Sequence, residues 1–233
     1  MTAPFRPLVT LILLVALFAC SDPNERNEKG QTPLILAAEK GDVEEAKSLI
    51  DRGADIHARD LCLFTPLLKA AAEGHYEVAE LLLQHGADPD DQDQGLYSAV
   101  MFAAGNNHPE IIELLIDHGA DIDLADRSLG WTALIWAARE GHAECVARLM
   151  EKGADPAIRD SSGNTALTWA VIKGHIDVVE QLLEAGVPPD QTDGKGTTAL
   201  AIAAKEGRNA ILERLIAAIK NSGKKPFQAS PIR

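Results

Sequence analysis

The chain is poor in the residues that build chemistry. Its 233 residues include three cysteines, and aromatic side chains make up only 4% of the whole. Cys20 stands apart near the N-terminus, which leaves Cys62 and Cys145, too few for a disulfide framework. Basic residues are also short: 22 Lys and Arg face 35 Asp and Glu, for a net charge of -13. That balance argues against a nucleic-acid partner and against adhesion to anionic lipid surfaces. No glycine-rich phosphate loop, nucleophile elbow or paired metal-ligand spacing occurs in the sequence. The chain therefore reads as a non-enzyme that needs no cofactor and no metal. Its longest apolar stretch, Leu8 to Ala19, has 12 residues, whereas a membrane-spanning helix needs about 20.

What the sequence does have is repetition. Thr32-Pro33-Leu34, Thr65-Pro66-Leu67, Ser98-Ala99-Val100, Thr132-Ala133-Leu134, Thr165-Ala166-Leu167 and Thr198-Ala199-Leu200 recur every 33 residues, with one step of 34. Gly-Ala-Asp keeps the same beat from Gly53, Gly86, Gly119 and Gly153, and decays to Gly-Val-Pro at Gly186. A third phrase, Gly-His or a relative, marks Gly41, Gly74, Asn107, Gly141, Gly174 and Gly207. A period of this length means a solenoid, whose units bury their apolar faces only against neighbours.

One unit can be read physically. Asp160 and Gly163 suit a turn, and Thr165 caps a first helix by accepting an amide of its first turn. Pro33 and Pro66 follow their cap Thr, at the helical position where a missing N–H costs nothing. Lys173-Gly174-His175 breaks the first helix. Val178, Val179, Leu182 and Leu183 are the apolar stripe of a second, and Gly186 ends it.

Length, cap, break and terminal glycine together resemble the ankyrin repeat, over roughly Asn27 to Asn221. The resemblance implies an all-α ankyrin-repeat solenoid of six helix-turn-helix repeats, a domain spanning 29–221. The family's histidine after Thr-Pro-Leu is absent from every copy, replaced by Ile35, Leu68, Met101, Ile135, Thr168 and Ala201. Its hydrogen bonds must be lost or made otherwise. The third copy, with Ser98-Ala99-Val100 and Asn106-Asn107, diverges most and is expected to be the weak joint of the stack.

Residues 1–19 have one charge, Arg6, and the composition of a secretory signal. The run ends in Leu17-Phe18-Ala19-Cys20, which resembles the lipobox of bacterial lipoproteins. In that family the cut falls before the Cys, whose sulfur takes a diacylglycerol. The resemblance implies lipidation at Cys20, with acyl chains as the membrane attachment and 20–28 as a short polar tether. A non-lipidated signal cut near Ala19 is the alternative. Ser21, where such lipoproteins have Asp for inner-membrane retention, implies the outer membrane, with the repeats facing the periplasm. Losing Arg6 and no acid takes the net charge from -13 to -14. Residues 222–233, with Lys224, Lys225 and Arg233, read as a solvated C-terminal tail.

The remaining polar clusters have plain readings. His75, His108, His142 and His175 occupy one register in successive repeats, about 10 Å apart at the spacing of packed helices. Ligands sharing a zinc need nitrogens about 2 Å from it, so these histidines are expected to bond backbone at the helix break. His85 and His118, just ahead of a glycine, suit the negative end of a helix dipole. Asp88, Asp90, Asp91 and Asp93 lack the spacing of a calcium loop and read as a solvated acidic turn. Cys145 takes the register of Val78 and Val178 and is expected to be a buried apolar residue. Cys62 falls two repeats away, roughly 20 Å, against the 7 Å or so that a disulfide allows between Cα atoms.

Function must then lie in binding. In ankyrin proteins partners usually meet the turn tips and the exposed side of the first helices, which form the concave face. The residues just before the caps run Gln31, Phe64, Tyr97, Trp131, Asn164, Thr197, with three successive aromatics in the middle copies. Leu61, Cys62, Leu63, Leu96 and Leu129 join them in turns that are ordinarily polar, and Arg139 and Glu140 lie further along the same face. Leu61, Phe64, Leu96, Tyr97, Leu129, Trp131, Arg139 and Glu140 are therefore the candidate contacts for a partner protein. The rings either stand exposed there or fold back to close the turns. Trp136 and Trp169 lie inside first helices and read as core. The sequence implies a monomeric binder of another protein: an adaptor, an immunity protein against a toxin delivered to the periplasm, or a structural envelope lipoprotein.

Overall fold

A computed structural model describes residues 22–221. The apolar run at 8–19, Cys20 and the segment 222–233 lie outside the described residues.

Twelve helices form six pairs among the described residues. The first helices of the pairs are α1 (Pro33–Lys40), α3 (Pro66–Glu73), α5 (Ala99–Gly105), α7 (Ala133–Glu140), α9 (Ala166–Lys173) and α11 (Ala199–Lys205). The second are α2 (Val43–Asp51), α4 (Tyr76–Gln84), α6 (Pro109–Asp117), α8 (Ala143–Glu151), α10 (Ile176–Glu184) and α12 (Asn209–Asn221). First helices pack on first helices and second on second, giving two rows along one axis. The expected helical solenoid is the observed architecture.

Each first helix starts as its sequence dictates. Thr32, Thr65, Ser98, Thr132, Thr165 and Thr198 lie in extended backbone and accept the amide three residues on. The small residues behind them, such as Ala70, Ala71, Ala137 and Ala138, are fully buried between rows. Where the family's histidine is missing, Ile35, Leu68, Met101 and Ile135 bury an apolar side chain instead. Only Thr168 restores a polar link, its Oγ1 accepting the Thr165 amide at 2.7 Å to complete a capping box. Cys145 is fully buried, and burial pushes its thiol up to about 12.

Three of the four histidines at the break bond backbone in the preceding repeat; the His108 ring instead lies against Gly74, with no such bond among the described residues. Nε2 of His75, His142 and His175 donates to the carbonyls of Glu39, Gly105 and Arg139 at 3.2, 3.0 and 3.0 Å. The rings of His75 and His175 lie so close over Gly41 and Gly141 that any side chain there would collide with them. His85 and His118 close their own helices, with Nδ1 donating to Leu81 and Leu114 carbonyls at 2.8 and 2.9 Å.

The acidic turn is likewise committed. Asp88 accepts the Asp90 amide, Asp90 the Asp121 amide and Asp93 the amides of Gly95 and Tyr97, while Asp91 pairs with Arg59.

The third unit departs from its siblings for visible reasons. Asn106 Nδ2 donates to the Ala72 carbonyl at 2.8 Å, a cross-repeat link like those of the histidines. Asn107 takes the left-handed conformation that glycine takes elsewhere. Gly105 is needed because a Cβ there would meet the Trp136 ring at 2.3 Å. Outside, Arg148 and Lys152 of the fourth unit reach Glu113 and Asp117 of the third at 2.6–3.6 Å. Val100, Met101, Ile111, Ile112 and Leu115 are buried. The expected weak joint thus has a complete core and its own links on both sides.

Candidate functional site

Each turn ahead of a first helix is built on one acidic or amide side chain. Asp60, Asp93, Asp160 and Asp193 accept the amides two and four residues on, and Asn27 does the same in the first unit. The turns are joined across repeats by single backbone bonds: Leu61 to Lys29, Gln94 to Cys62, Arg127 to Gly95 and Ser161 to Leu129, at 2.8–3.1 Å. The tips therefore form one continuous edge.

The fourth turn carries the extra residue of the 34-residue step. Asp126 reaches five residues on, to the Trp131 amide at 2.9 Å, and also accepts the amides of Ser128 and Leu129. Burial raises the pKa of Asp126, but these bonds outweigh it and hold the carboxyl below its ordinary 3.8. The widened tip leaves Leu129 40% exposed.

The tips of the second and third units are strained. One residue before the cap-preceding position, Gly30, Gly130, Gly163 and Gly196 have positive φ of 68–79°. The same register holds Leu63 at φ 65° and Leu96 at φ 63°. A left-handed L-residue costs roughly 1–2 kcal/mol. The folded state gains nothing evident in return, because Leu63 is 43% exposed and its neighbour Leu61 is 73% exposed. Leu96 is half-buried. Leu63→Gly should therefore stabilise the chain, by about 0.5 kcal/mol once the freedom of glycine in the unfolded chain is counted. Urea unfolding midpoints at constant slope are the check.

The rings are not free-standing. Phe64, Tyr97 and Trp131 are half-buried and pack against the core. Phe102 and Trp136 insert between them and Trp169 follows Trp131; all three project from first helices four residues after each cap. The six form one row: Phe64 to Phe102 at 5.2 Å, Phe102 to Tyr97 at 5.9 Å, Tyr97 to Trp136 at 5.2 Å, Trp136 to Trp131 at 6.2 Å and Trp131 to Trp169 at 5.7 Å between centroids. All are tilted or edge-on, the favoured geometry for aromatic pairs. Reading Trp136 and Trp169 as core is corrected: both are half-buried members of this surface row.

Cations cap the row. Lys69 lies 4.6 Å over Phe64, Arg139 lies 4.9 Å over Trp131 and 5.8 Å over Trp169, and Lys173 lies 5.8 Å over Trp169. Glu39 pairs with Lys69 at 3.2 Å, and exposed Glu140 pairs with Arg139. Beneath the row, Asp160 accepts the indole N–H of Trp131 at 3.2 Å and of Trp169 at 2.8 Å. Burial raises the pKa of Asp160, but the Asn164 amide, the two indoles and the Ser162 amide hold it below 3.8.

All eight candidate contacts thus lie along one face, but they divide. Leu61, Leu129 and Glu140 are exposed, while Phe64, Leu96, Tyr97, Trp131 and Arg139 are half-buried. Sequence reasoning missed Lys69, Phe102, Trp136 and Trp169 as one register, four residues after each cap, and missed Asp160 beneath them. The first four were legible by aligning copies; the inward carboxylate was not. Among the described residues no cluster of His, Cys, Asp or Glu is disposed to hold a metal.

A family model described as ankyrin repeats (3 copies) matches residues 6–93, 100–193 and 155–226. Such repeats are generic protein–protein interaction modules. With six capped helix pairs on a 33-residue beat and family matches over most of its length, this chain belongs to the ankyrin-repeat family.

Proposed function

We propose that the chain is a lipid-anchored adaptor that binds one partner protein through its first-helix face and turn tips. The observation that carries this is the pair of left-handed leucines, Leu63 and Leu96, beside exposed Leu61 and Leu129. Backbone strain spent on exposed Leu63 and half-buried Leu96 is a cost without evident return in the free chain, and it becomes useful when a partner covers them. The ring row supplies rigid aromatic surface next to those tips, the residue class that dominates binding hot spots. Recovery of the partner by crosslinking in the intact envelope tests the reading directly.

The anchor rests on the sequence around Cys20. Acyl chains on that sulfur would hold the chain at the outer membrane, and the short stretch 20–28 would keep the repeats close to it on the periplasmic side. More than one acyl chain is needed for stable hold. Cys20→Ser should abolish lipid labelling and leave either an unprocessed precursor or a soluble product. Mass spectrometry of the mature wild-type N-terminus checks this. An unmodified N-terminus beyond Cys20 would refute the anchor and leave the binding face untouched.

A further inference from the structure

We infer that the occupant of the ring row is an extended, proline-containing acidic segment of the partner protein, lying along the stack in the polyproline II conformation. The inference rests on the first-helix face being the interface, and three observations shape it.

The first is register. The row takes one turn ring from the second repeat, a turn ring and a helix ring from each of the third and fourth, and one helix ring from the fifth, and packed helices repeat at about 8–10 Å. A polyproline II segment has three residues per turn and rises about 9.3 Å per turn. Every third residue therefore returns to the same surroundings one repeat further on. A β-strand returns a side chain to one face about every 6.7 Å and drifts out of step. An α-helix, with its pitch of about 5.4 Å, meets the period only at every second turn.

The second is hydrogen bonding. Trp131 and Trp169 give their indole N–H to Asp160, but Trp136 Nε1 and Arg139 Nε have no acceptor although shielded from solvent. Leaving such donors unpaired costs about 1–3 kcal/mol each. A polyproline II backbone makes no internal hydrogen bonds, so its carbonyls are free to accept. Reaching them requires the two side chains to leave their present packing, while proline rings pack flat on the exposed parts of the aromatic faces.

The third is charge. In a chain of net charge -13, this row is edged by Lys69, paired with Glu39, at one end and by Arg139, paired with Glu140, and Lys173 at the other. The nearest acids of the turns, Asp60, Asp93, Asp126 and Asp160, are turned inward onto amides and indoles. Among the described residues Lys173 has no carboxylate in ion-pair reach, so a carboxylate on the occupant complements that end.

The test uses the full chain in detergent and a ten-residue peptide with proline at every third position and glutamate and alanine between. A peptide of the same composition with its prolines contiguous keeps the conformation and loses the period; an acidic helix-forming peptide of equal length is the third probe. Tryptophan fluorescence titrations should show the spaced peptide binding about tenfold tighter than either, the weight of one or two well-placed contacts. Lys173→Gln should weaken that binding about threefold, and the loss should shrink in high salt. Equal affinity for the spaced and contiguous peptides, or preference for the helix, overturns the inference. If partner crosslinks map to Leu61 and Leu129 while no proline peptide binds at millimolar concentration, the interface stands and this occupant is wrong. If the crosslinks map to the outer helices, both fall.

Discussion

Asp160→Ala is expected to lower the unfolding free energy by about 3 kcal/mol or more. Asp160 is 7% exposed, and its two oxygens serve five donors: the amides of Ser162 and Asn164, the Asn164 side chain and the indoles of Trp131 and Trp169. Alanine strands the two indoles in a half-buried row and unties the fifth turn. Asp193→Ala is the matched control, because Asp193 holds the equivalent turn through Lys195 and Thr197 amides without an indole. It should cost markedly less than Asp160→Ala, because no buried donor is left unpaired. The pH dependence follows from the sign of the shift. The Asp160 pKa is depressed in the folded state, so its stabilisation is complete well above 3.8 and is lost as pH falls below that value. Wild type should therefore lose more stability on acidification from about pH 5 to pH 2 than the alanine variant does. Urea unfolding at both ends of that window reads both effects; equal losses in the two alanine variants would mean the indoles do not depend on Asp160.

Most of the fold was legible in the sequence because ankyrin units are local. Thr165, Gly174 and Gly186 act within a few residues of themselves, through a cap, a break and a left-handed stop, and repeating them six times leaves little choice of architecture. The histidine register was also readable, since one position repeated at a fixed distance cannot share a metal but can reach the neighbouring repeat. What escaped was the direction of side chains. The sequence alone places Trp131 in a turn and Trp136 in a core, because it does not say that the residue before a cap and the one four residues after it meet at 6.2 Å. Nor does a string of letters show that Leu63 and Leu96 stand where other copies use left-handed glycine; only aligning copies by their caps exposes that. The divergent residues of the third unit acquire reasons in the same way. Gly105 is there for the Trp136 ring, and Asn106 for the Ala72 carbonyl.

Trp131→Ala should affect both stability and binding. Its ring touches Trp136 and Trp169, carries Arg139 on its face and donates to Asp160. Deleting a fully buried Trp costs about 3–5 kcal/mol, and this half-buried one should cost about 2 kcal/mol. Loss of partner affinity should reach about 2 kcal/mol or more, the hot-spot scale. Trp131→Phe separates the parts: it keeps aromatic packing, frees one lone pair of Asp160 and should recover most of the binding. Affinities must be measured well below the melting point of each variant. A Trp131→Ala chain that melts lower yet binds normally while folded would confine the row to a structural role.

The most direct test of the binding face is site-resolved photocrosslinking in intact cells. A photoreactive residue is placed at Leu61 or Leu129 on the tips, and at Glu77 or Glu144 on the second helices, all of them exposed. The account expects one protein partner to be captured from Leu61 and Leu129, and little or nothing from Glu77 and Glu144. Capture of the partner from the second helices, with silent turn tips, would contradict it.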